Sequence, residues 1–200
     1  MFSLNDILGD QQGGETLGQI SNMLGADQGA TSSAIQLALP AIISGLASNA
    51  ASPDGAQALN TTLDQHHAGG GLLGNLGGLI MGQLTGTPQA DGGGILGHIF
   101  GSNQGQVAQN ISNNSGLNMG QVAQLLMVLA PIVMSYLGKK KQEENLDAGG
   151  LSGYLGGQQQ QMQQQDSGVM GMVTGFLDGD KDGSALDDVA SMAFNYFTKK

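Results

Sequence analysis

Cysteine, tryptophan and arginine are all absent from this 200-residue sequence. Without cysteine the chain has no disulfide, no thiolate zinc site, no iron–sulfur cluster and no cysteine nucleophile. Aromatic residues make up only 4%, so a core has to be built from Leu, Ile, Val, Ala and the 10 Met residues. The sequence also has no nucleophile elbow, phosphate-binding loop, dinucleotide fingerprint or metalloprotease helix. We therefore expect a protein that is not an enzyme, and no small-molecule substrate is identified.

Positive charge is scarce as well. Six Lys face 16 Asp and Glu, which gives a formal net charge of −10. Nucleic-acid binding requires basic side chains that neutralise phosphates, so nucleic acid is not an expected partner. The N-terminus has no basic region followed by an apolar run and a small-residue cleavage site. A cytoplasmic location is the resulting expectation.

An internal repeat is the strongest signal of architecture. Residues 20–46 align without a gap with residues 111–137, and eight of the 27 positions are identical. Repeats of this kind indicate copies of one structural unit. The sequence therefore predicts an all-α fold with a duplicated helical module. The identical pairs are Ile20/Ile111, Ser21/Ser112, Asn22/Asn113, Gly25/Gly116, Gly29/Gly120, Pro40/Pro131, Ser44/Ser135 and Leu46/Leu137.

Each copy is expected to contain a short helix, a glycine break and a long helix. The long helices are predicted at about residues 30–50 and 120–141. Asp27 and Asn118 stand just before them, where N-cap residues are favoured. Gln121 follows Asn118 by three residues, which is the capping-box spacing.

Both long helices contain a proline near the middle. Pro40 and Pro131 each remove one backbone hydrogen bond, to the carbonyls of Gln36 and Met127, so the sequence predicts a kink or a break at both positions. The apolar run 125–137 is 13 residues long, shorter than the roughly 20 that span a bilayer. A buried core helix is therefore favoured over a membrane span.

Glycine-rich and glutamine-rich segments predict connectors between these units. A glycine recurs every four residues at Gly70, Gly74, Gly78 and Gly82, which would make a smooth face on a helix. The pattern is compatible with a packed helix and with a loop. Seven of the eight residues 158–165 are Gln, typical of a solvated linker. Just before them, Leu151, Tyr154 and Leu155 have helical spacing, which is compatible with one more short amphipathic turn.

We expect a first helical repeat at 1–60, a Gly-rich connector with a degenerate loop at 61–97 and a second helical repeat at 98–145. A Gly/Gln-rich linker at 146–166 and a C-terminal metal-loop hairpin at 167–200 follow.

The C-terminal hairpin carries the most specific chemical signal in the chain. Asp178, Asp180 and Asp182 alternate and Gly183 follows, which reproduces positions 1, 3, 5 and 6 of a calcium-binding loop. Ser184 would supply the position 7 carbonyl. The sequence therefore predicts a helix-loop-helix that binds Ca²⁺, with Mg²⁺ as the other candidate ion.

The end of this loop departs from an EF-hand. Val189 stands at position 12 in place of the bidentate Glu, so closure of the loop is assigned to Asp187 or Asp188. Ser184 with Asp187 also matches a capping box that opens a final helix. That alternative accounts for the second half of the loop but not for its three alternating aspartates.

A diverged relative of the loop occurs at LDQHHAGGG, residues 63–71. Asp64 is kept, but His66 and Ala68 replace two of the aspartates. A zinc site formed by Asp64, His66 and His67 is conceivable, but adjacent histidines rarely converge on one ion without a further ligand. Ordinary surface histidines are the preferred interpretation.

Several of these segments together resemble a known family. The helices ALPAIISGLASNA and LAPIVMSYLGKKKQ, the segment LDAGGLSGYLGG and the closing FLDGDKDGSALDD are similar to a widespread bacterial family catalogued as a domain of unknown function, distantly similar to YidB-like helical proteins. The resemblance extends over nearly the whole chain. It implies no established reaction, and members typically carry aspartates in the first loop, where this chain has LDQHHAGGG.

The functional hypothesis is a calcium-binding, non-enzymatic helical scaffold that self-associates or binds a protein partner. The alternative is a protein associated with a membrane surface or a pore, which would use the glycine stripe and the proline-containing helices.

Overall fold

The computed structural model of the protein describes residues 10–66 and 91–165, together with Ile7. This part of the chain is all-helical and contains no strand, which confirms the predicted all-α class. A short 3-10 turn at Gly101–Asn103 separates the fourth and fifth helices. The α-helices are α1 Asp10–Leu24, α2 Gln28–Ala50, α3 Pro53–His66, α4 Gly92–Phe100, α5 Gln104–Ser115, α6 Met119–Glu144 and α7 Ala148–Gln165.

Both long helices begin at the predicted N-caps. The Asp27 carboxylate accepts hydrogen bonds from the backbone N–H groups of Gly29 at 2.7 Å and Ala30 at 3.2 Å. Asn118 and Gln121 exchange side chain and backbone hydrogen bonds, both of 3.0 Å, and so form the complete capping box. Each cap satisfies N–H groups that a helix leaves without an internal partner. The cap predictions are therefore confirmed.

Neither proline breaks its helix. Pro40 lies inside α2 and Pro131 inside α6, and the helical hydrogen-bond pattern continues past both. The predicted break is wrong at both positions, whereas the predicted kink stays a prediction. The physical reason is packing: the residues around each proline are buried, and tertiary burial outweighs a local loss of propensity.

The hydrophobic core is organised around α2 and α6. α2 contacts every other helix of the described residues, and α6 contacts α1 to α5. In the middle of each helix, at residues 41–47 and 128–135, every residue is buried, as expected for helices at the centre of a bundle. The largest side chains that are almost fully buried are Leu39, Ile42, Ile43, Leu63, Leu96, Leu125, Leu126, Leu129, Ile132, Leu137 and Leu151.

α2 and α6 are also long and apolar enough to cross a membrane, as judged by length and composition alone. Most of each apolar stretch, 61% in α2 and 67% in α6, lies buried inside the bundle. Buried core helices meet the same criteria of length and composition, so the two helices give weak support for a membrane span.

Two predicted connectors contain regular helix. Within the linker predicted at 146–166, Ala148–Gln165 forms α7, so the short amphipathic turn expected around Leu151 and Leu155 is part of a helix of 18 residues. Leu151 and Leu155, one helical turn apart, are fully buried and fix this helix on the core. Glutamine, a good helix former, then extends the helix.

The Gly-rich connector predicted at 61–97 is only partly described. Its first residues, 61–66, are the last turns of α3, with Leu63 fully buried, and 92–97 belong to α4. The predicted degenerate loop is therefore helical from Leu63 to His66. The glycine stripe from Gly70 to Gly82 lies outside the described residues, and so does the hairpin 167–200.

The first turn of α4 sits directly on the backbone of α6. A Cβ atom at Gly92 would collide with the Met127 carbonyl oxygen and lie 2.7 Å from the Met127 Cα. Met127 is the residue four before Pro131, so its carbonyl cannot receive the usual intrahelical N–H. Glycine thus allows α4 to approach α6 at the place where proline interrupts the hydrogen-bond ladder.

We expect Gly92→Ala to lower the free energy of unfolding by about 1–3 kcal/mol, because the methyl group meets backbone atoms that cannot move aside. Gly97 in the same helix is the matched control, since a Cβ there meets nothing within 4 Å. Gly97→Ala should raise stability by up to about 1 kcal/mol through helix propensity. Urea denaturation measures both, and equal effects of the two substitutions would contradict the close approach.

Candidate functional site

The predicted metal ligands lie outside the described residues. They are Asp178, Asp180, Asp182, Ser184, Asp187 and Asp188, all within 166–200. Within residues 10–66 and 91–165, no group of three or more His, Asp or Glu side chains is arranged to hold a metal ion. The calcium prediction therefore stays a prediction.

The diverged loop at residues 63–71 is only partly described, and its Asp64 pairs with a lysine. The Asp64 carboxylate forms an ion pair with the Lys141 ammonium, which joins the end of α3 to the end of α6. His67 lies outside the described residues. His98 lies on α4 and is exposed to solvent.

A cavity of about 200 Å³ lies between α2, α3, α4 and α6. Its wall is mainly apolar, with three residues that carry polar side chains. It is partly open to solvent. The apolar side comes from Leu46, Ala58, Leu59, Ile95, Ile99 and Met134, and the polar residues are Asn49, Thr62 and His98.

Asn49 fixes the geometry of this cavity. Its side-chain amide nitrogen has two hydrogens and donates them to three carbonyl oxygens, those of Gly45 at 3.1 Å, His98 at 3.0 Å and Ile99 at 3.0 Å, so one hydrogen is shared between two acceptors. The first carbonyl belongs to α2 and the other two to the last turn of α4. Because the last carbonyls of a helix have no internal partner, Asn49 both caps α4 and holds it on α2.

Gly45 allows the close contact between the same two helices. A Cβ atom there would lie 2.5 Å from Ile99 Cγ2 and 3.1 Å from Phe100 Cε1. The helix axes therefore approach at Gly45, and Asn49, one turn later, supplies the polar bond. Thr62, on the opposite wall, donates its hydroxyl to the Ala58 carbonyl at 2.9 Å.

The structural role of Asn49 is not predicted by the sequence. The repeat alignment gave no signal for it, since the equivalent position of the second copy is Lys140. An Asn near the end of a long apolar helix is the only pattern that marks it. Its bonding partners, His98 and Ile99, are about 50 residues away in the chain, so local spacing carries no trace of the contact.

The C-terminal end of α6 carries the positive charge of the described residues. Lys139 and Lys140 pair with Glu143 at 3.7 and 3.3 Å, and Lys140 also pairs with Glu144 at 3.6 Å. The hydrogen bond with Glu143 raises the pKa of Lys140 above its ordinary value. Exposed pairs of this kind contribute little to stability. They do place cations where the helix dipole favours them.

A tyrosine pair joins α6 to α7. The hydroxyl groups of Tyr136 and Tyr154 lie 3.4 Å apart. Burial, together with the hydrogen bond to Tyr136, raises the pKa of the Tyr154 phenol well above its ordinary value. A neutral phenol can both donate and accept a hydrogen bond.

We expect Asn49→Ala to destabilise the protein by about 1–2 kcal/mol through lost hydrogen bonds. Asn49→Asp should destabilise it further at pH 7, because a carboxylate would face three carbonyl oxygens. Those oxygens raise the folded-state pKa of the introduced group above its unfolded value of about 3.9. The extra loss should therefore appear as pH rises through the unfolded pKa and vanish below it.

Denaturant unfolding of the two variants between pH 4 and pH 8 provides the test. Comparing them at each pH removes the titration of the rest of the chain. Asn114→Asp is the matched control, because the Asn114 amide donates to a single exposed carbonyl, that of Asn110. If Asn49→Asp and Asn49→Ala show the same stability across the whole range, the three-carbonyl contact is wrong.

Comparison with known proteins assigns the region from α1 to near the end of α6 to a protein family. A family model described as "Bacterial protein of unknown function (DUF937)" matches residues 6–140, about two thirds of the chain. No curated protein and no solved structure matches the chain. The similarity to YidB-like proteins stays a prediction. The match includes α2 and all of α6 except its last residues, the two capped helices that contain a proline. The chain belongs to this bacterial family of unknown function.

Proposed function

We propose that the protein is a non-enzymatic helical scaffold that self-associates or binds a protein partner and that binds calcium through its C-terminal loop. The scaffold would be built from two copies of one helical module, and its location would be cytoplasmic. The single observation that carries the calcium part is the spacing of Asp178, Asp180 and Asp182 before Gly183.

The duplication is supported by equivalent positions that have the same structural role. A left-handed glycine ends the first helix of each copy, with φ of +59° and +85°. An N-cap, a proline within the helix and a buried serine follow at the same offsets. Neither serine hydroxyl has a hydrogen-bond partner among the described residues. The pairs are Gly25/Gly116, Asp27/Asn118, Pro40/Pro131 and Ser44/Ser135.

The calcium proposal is supported by ligand chemistry. Calcium prefers six to eight hard oxygen ligands, and alternating carboxylates followed by a glycine supply them within one tight loop. Asp187 or Asp188 would complete the set in place of the usual Glu at position 12. Magnesium, which prefers six oxygen ligands in a stricter geometry, is the competing ion.

The scaffold proposal is supported by the kind of polar residue that is buried in the described part of the chain. Its buried polar residues are all Ser or Thr. Two of them, Ser21 and Thr31, donate their hydroxyls to backbone carbonyls of their own helix segment, at 2.7 and 2.8 Å. These two hydroxyls are therefore satisfied within their own helix segments.

The membrane alternative rests on the length and hydropathy of α2 and α6. Insertion would require both helices to leave a core in which most of their apolar surface is already buried, so the scaffold is favoured. Sedimentation with vesicles separates the two. Retention in the soluble fraction, with and without anionic lipid, is the expected result.

Calcium binding should stabilise the folded state by mass action, by about 2.7 kcal/mol at a free concentration one hundred times the dissociation constant. We therefore expect calcium to raise the melting temperature of the full chain by several degrees and a chelator to reverse the shift. A titration by calorimetry should show heat at millimolar calcium. Asp180→Asn with Asp182→Asn should abolish both responses.

The control removes the same charge elsewhere. Glu15 and Asp54 are exposed and lie on α1 and α3, so Glu15→Gln with Asp54→Asn should leave the calcium response intact. If neither calcium nor magnesium gives a heat at millimolar concentration, the calcium proposal fails. If the response survives Asp180→Asn with Asp182→Asn, the ligand assignment fails.

A further inference from the structure

The cavity between α2, α3, α4 and α6 is a preformed site on which the calcium and scaffold proposals do not depend. Each of the four helices contributes one buried apolar side chain to its wall, namely Leu46, Leu59, Ile99 and Met134. The cavity is partly open, so a small molecule can enter it without displacing a helix. Its volume of about 200 Å³ lies below the roughly 300–1,000 Å³ of pockets for drug-sized ligands, so its ligand has fewer atoms than those.

The polar side chains on the wall offer mainly hydrogen-bond acceptors. Three carbonyl oxygens take up the amide hydrogens of Asn49, and its Oδ1 is left without a hydrogen-bond partner among the described residues. Thr62 donates its hydroxyl proton to the Ala58 carbonyl, so the lone pairs of its Oγ1 are what it can offer a ligand. The exposed His98 ring, whose neutral form has one acceptor nitrogen, forms no hydrogen bond within the same part of the chain. A ligand with several donors matches this set.

The charge around the cavity favours a cation. α2, α3 and α4 supply nine of its ten lining residues and contain no lysine. Asp54, in the first turn of α3 beside the lining residue Gly55, is exposed and has no ion pair among the described residues. The three lysines of α6 are each paired with an Asp or a Glu. A carboxylate ligand would therefore be repelled, and an ammonium group would be attracted.

We propose that the cavity binds a small primary amine with an apolar tail. The tail occupies the space beside Leu59, Ile99 and Met134, where it is removed from water. The ammonium group has three N–H donors and no acceptor, and it donates to Asn49 Oδ1 and Thr62 Oγ1. This ligand site goes beyond the proposed function and does not rest on it.

The test compares three compounds that have the same tail and different head groups: n-hexylamine, 1-hexanol and hexanoate. Each is titrated into the full chain with ¹³C-labelled methionine methyl groups. The Met134 methyl signal, assigned with Met134→Leu, reports on the cavity that this residue lines. Hexylamine should shift it saturably at millimolar concentration, and hexanoate should bind about tenfold more weakly or worse. Met119, exposed at the start of α6 and remote from the wall, is the internal control and should not shift.

A pair of matched variants separates the cavity from the surface of α3. Ala58 is exposed and lines the cavity, so Ala58→Phe fills its opening and should raise the dissociation constant of hexylamine about tenfold or more. Gln57 is exposed on the same helix and does not line it, so Gln57→Phe should leave the constant unchanged. Thr62→Val removes one acceptor. It should reduce the preference for hexylamine over hexanol and retain the binding of hexanol.

The titration of the unaltered chain decides the proposal even if Ala58→Phe does not fold. A Met134 signal that moves with none of the three compounds overturns the site. Binding of hexanol or hexanoate as tight as that of hexylamine overturns the assignment of an amine. A response that persists unchanged in a folded Ala58→Phe variant shows that the compound binds elsewhere, which also refutes the proposal.

Discussion

The burial of α2 and α6 in one apolar core is the constraint on which the rest of the structure depends. α2 contacts every other helix of the described residues, and α6 contacts five of them, so the two helices together position the others. Leu39, Ile42 and Ile43 in α2 and Ile132 in α6 are almost completely inaccessible to solvent. Burying a side chain of this size stabilises the fold by about 1.5–3 kcal/mol. That gain is large enough to keep both helices intact across a proline.

Two close approaches at glycine residues fix the position of α4 on this core. Gly92 lies against the Met127 carbonyl of α6, and Gly45 of α2 lies against Ile99. Asn49 then joins α2 to the end of α4 through the carbonyl oxygens of His98 and Ile99. Small residues let the helices touch, and one amide fixes their relative position. The cavity between α2, α3, α4 and α6 is bounded by the same contacts.

The sequence predicted the features that depend on local spacing and missed those that depend on distant partners. The N-caps at Asp27 and Asn118 and the long apolar helices follow from patterns a few residues long, and they are confirmed. The predicted breaks at the prolines failed because burial by other helices outweighs a local defect. The spacing of Leu151, Tyr154 and Leu155 indicated one short turn of α7, and the glycines and glutamines around them concealed its full length. The contacts of Asn49 and Gly92 could not be predicted, since their partners are remote in the chain.

Native-state hydrogen exchange tests the central role of α2 and α6 most directly, because it gives an opening free energy for each amide. Amides near Ile42 in α2 and Ile132 in α6 should exchange only on global unfolding, with the opening free energy found by denaturant titration. Amides of α7 near Leu151 and Leu155 should open at a lower free energy. α7 amides as protected as those of α2, or α6 amides that exchange through a smaller opening, would contradict this account.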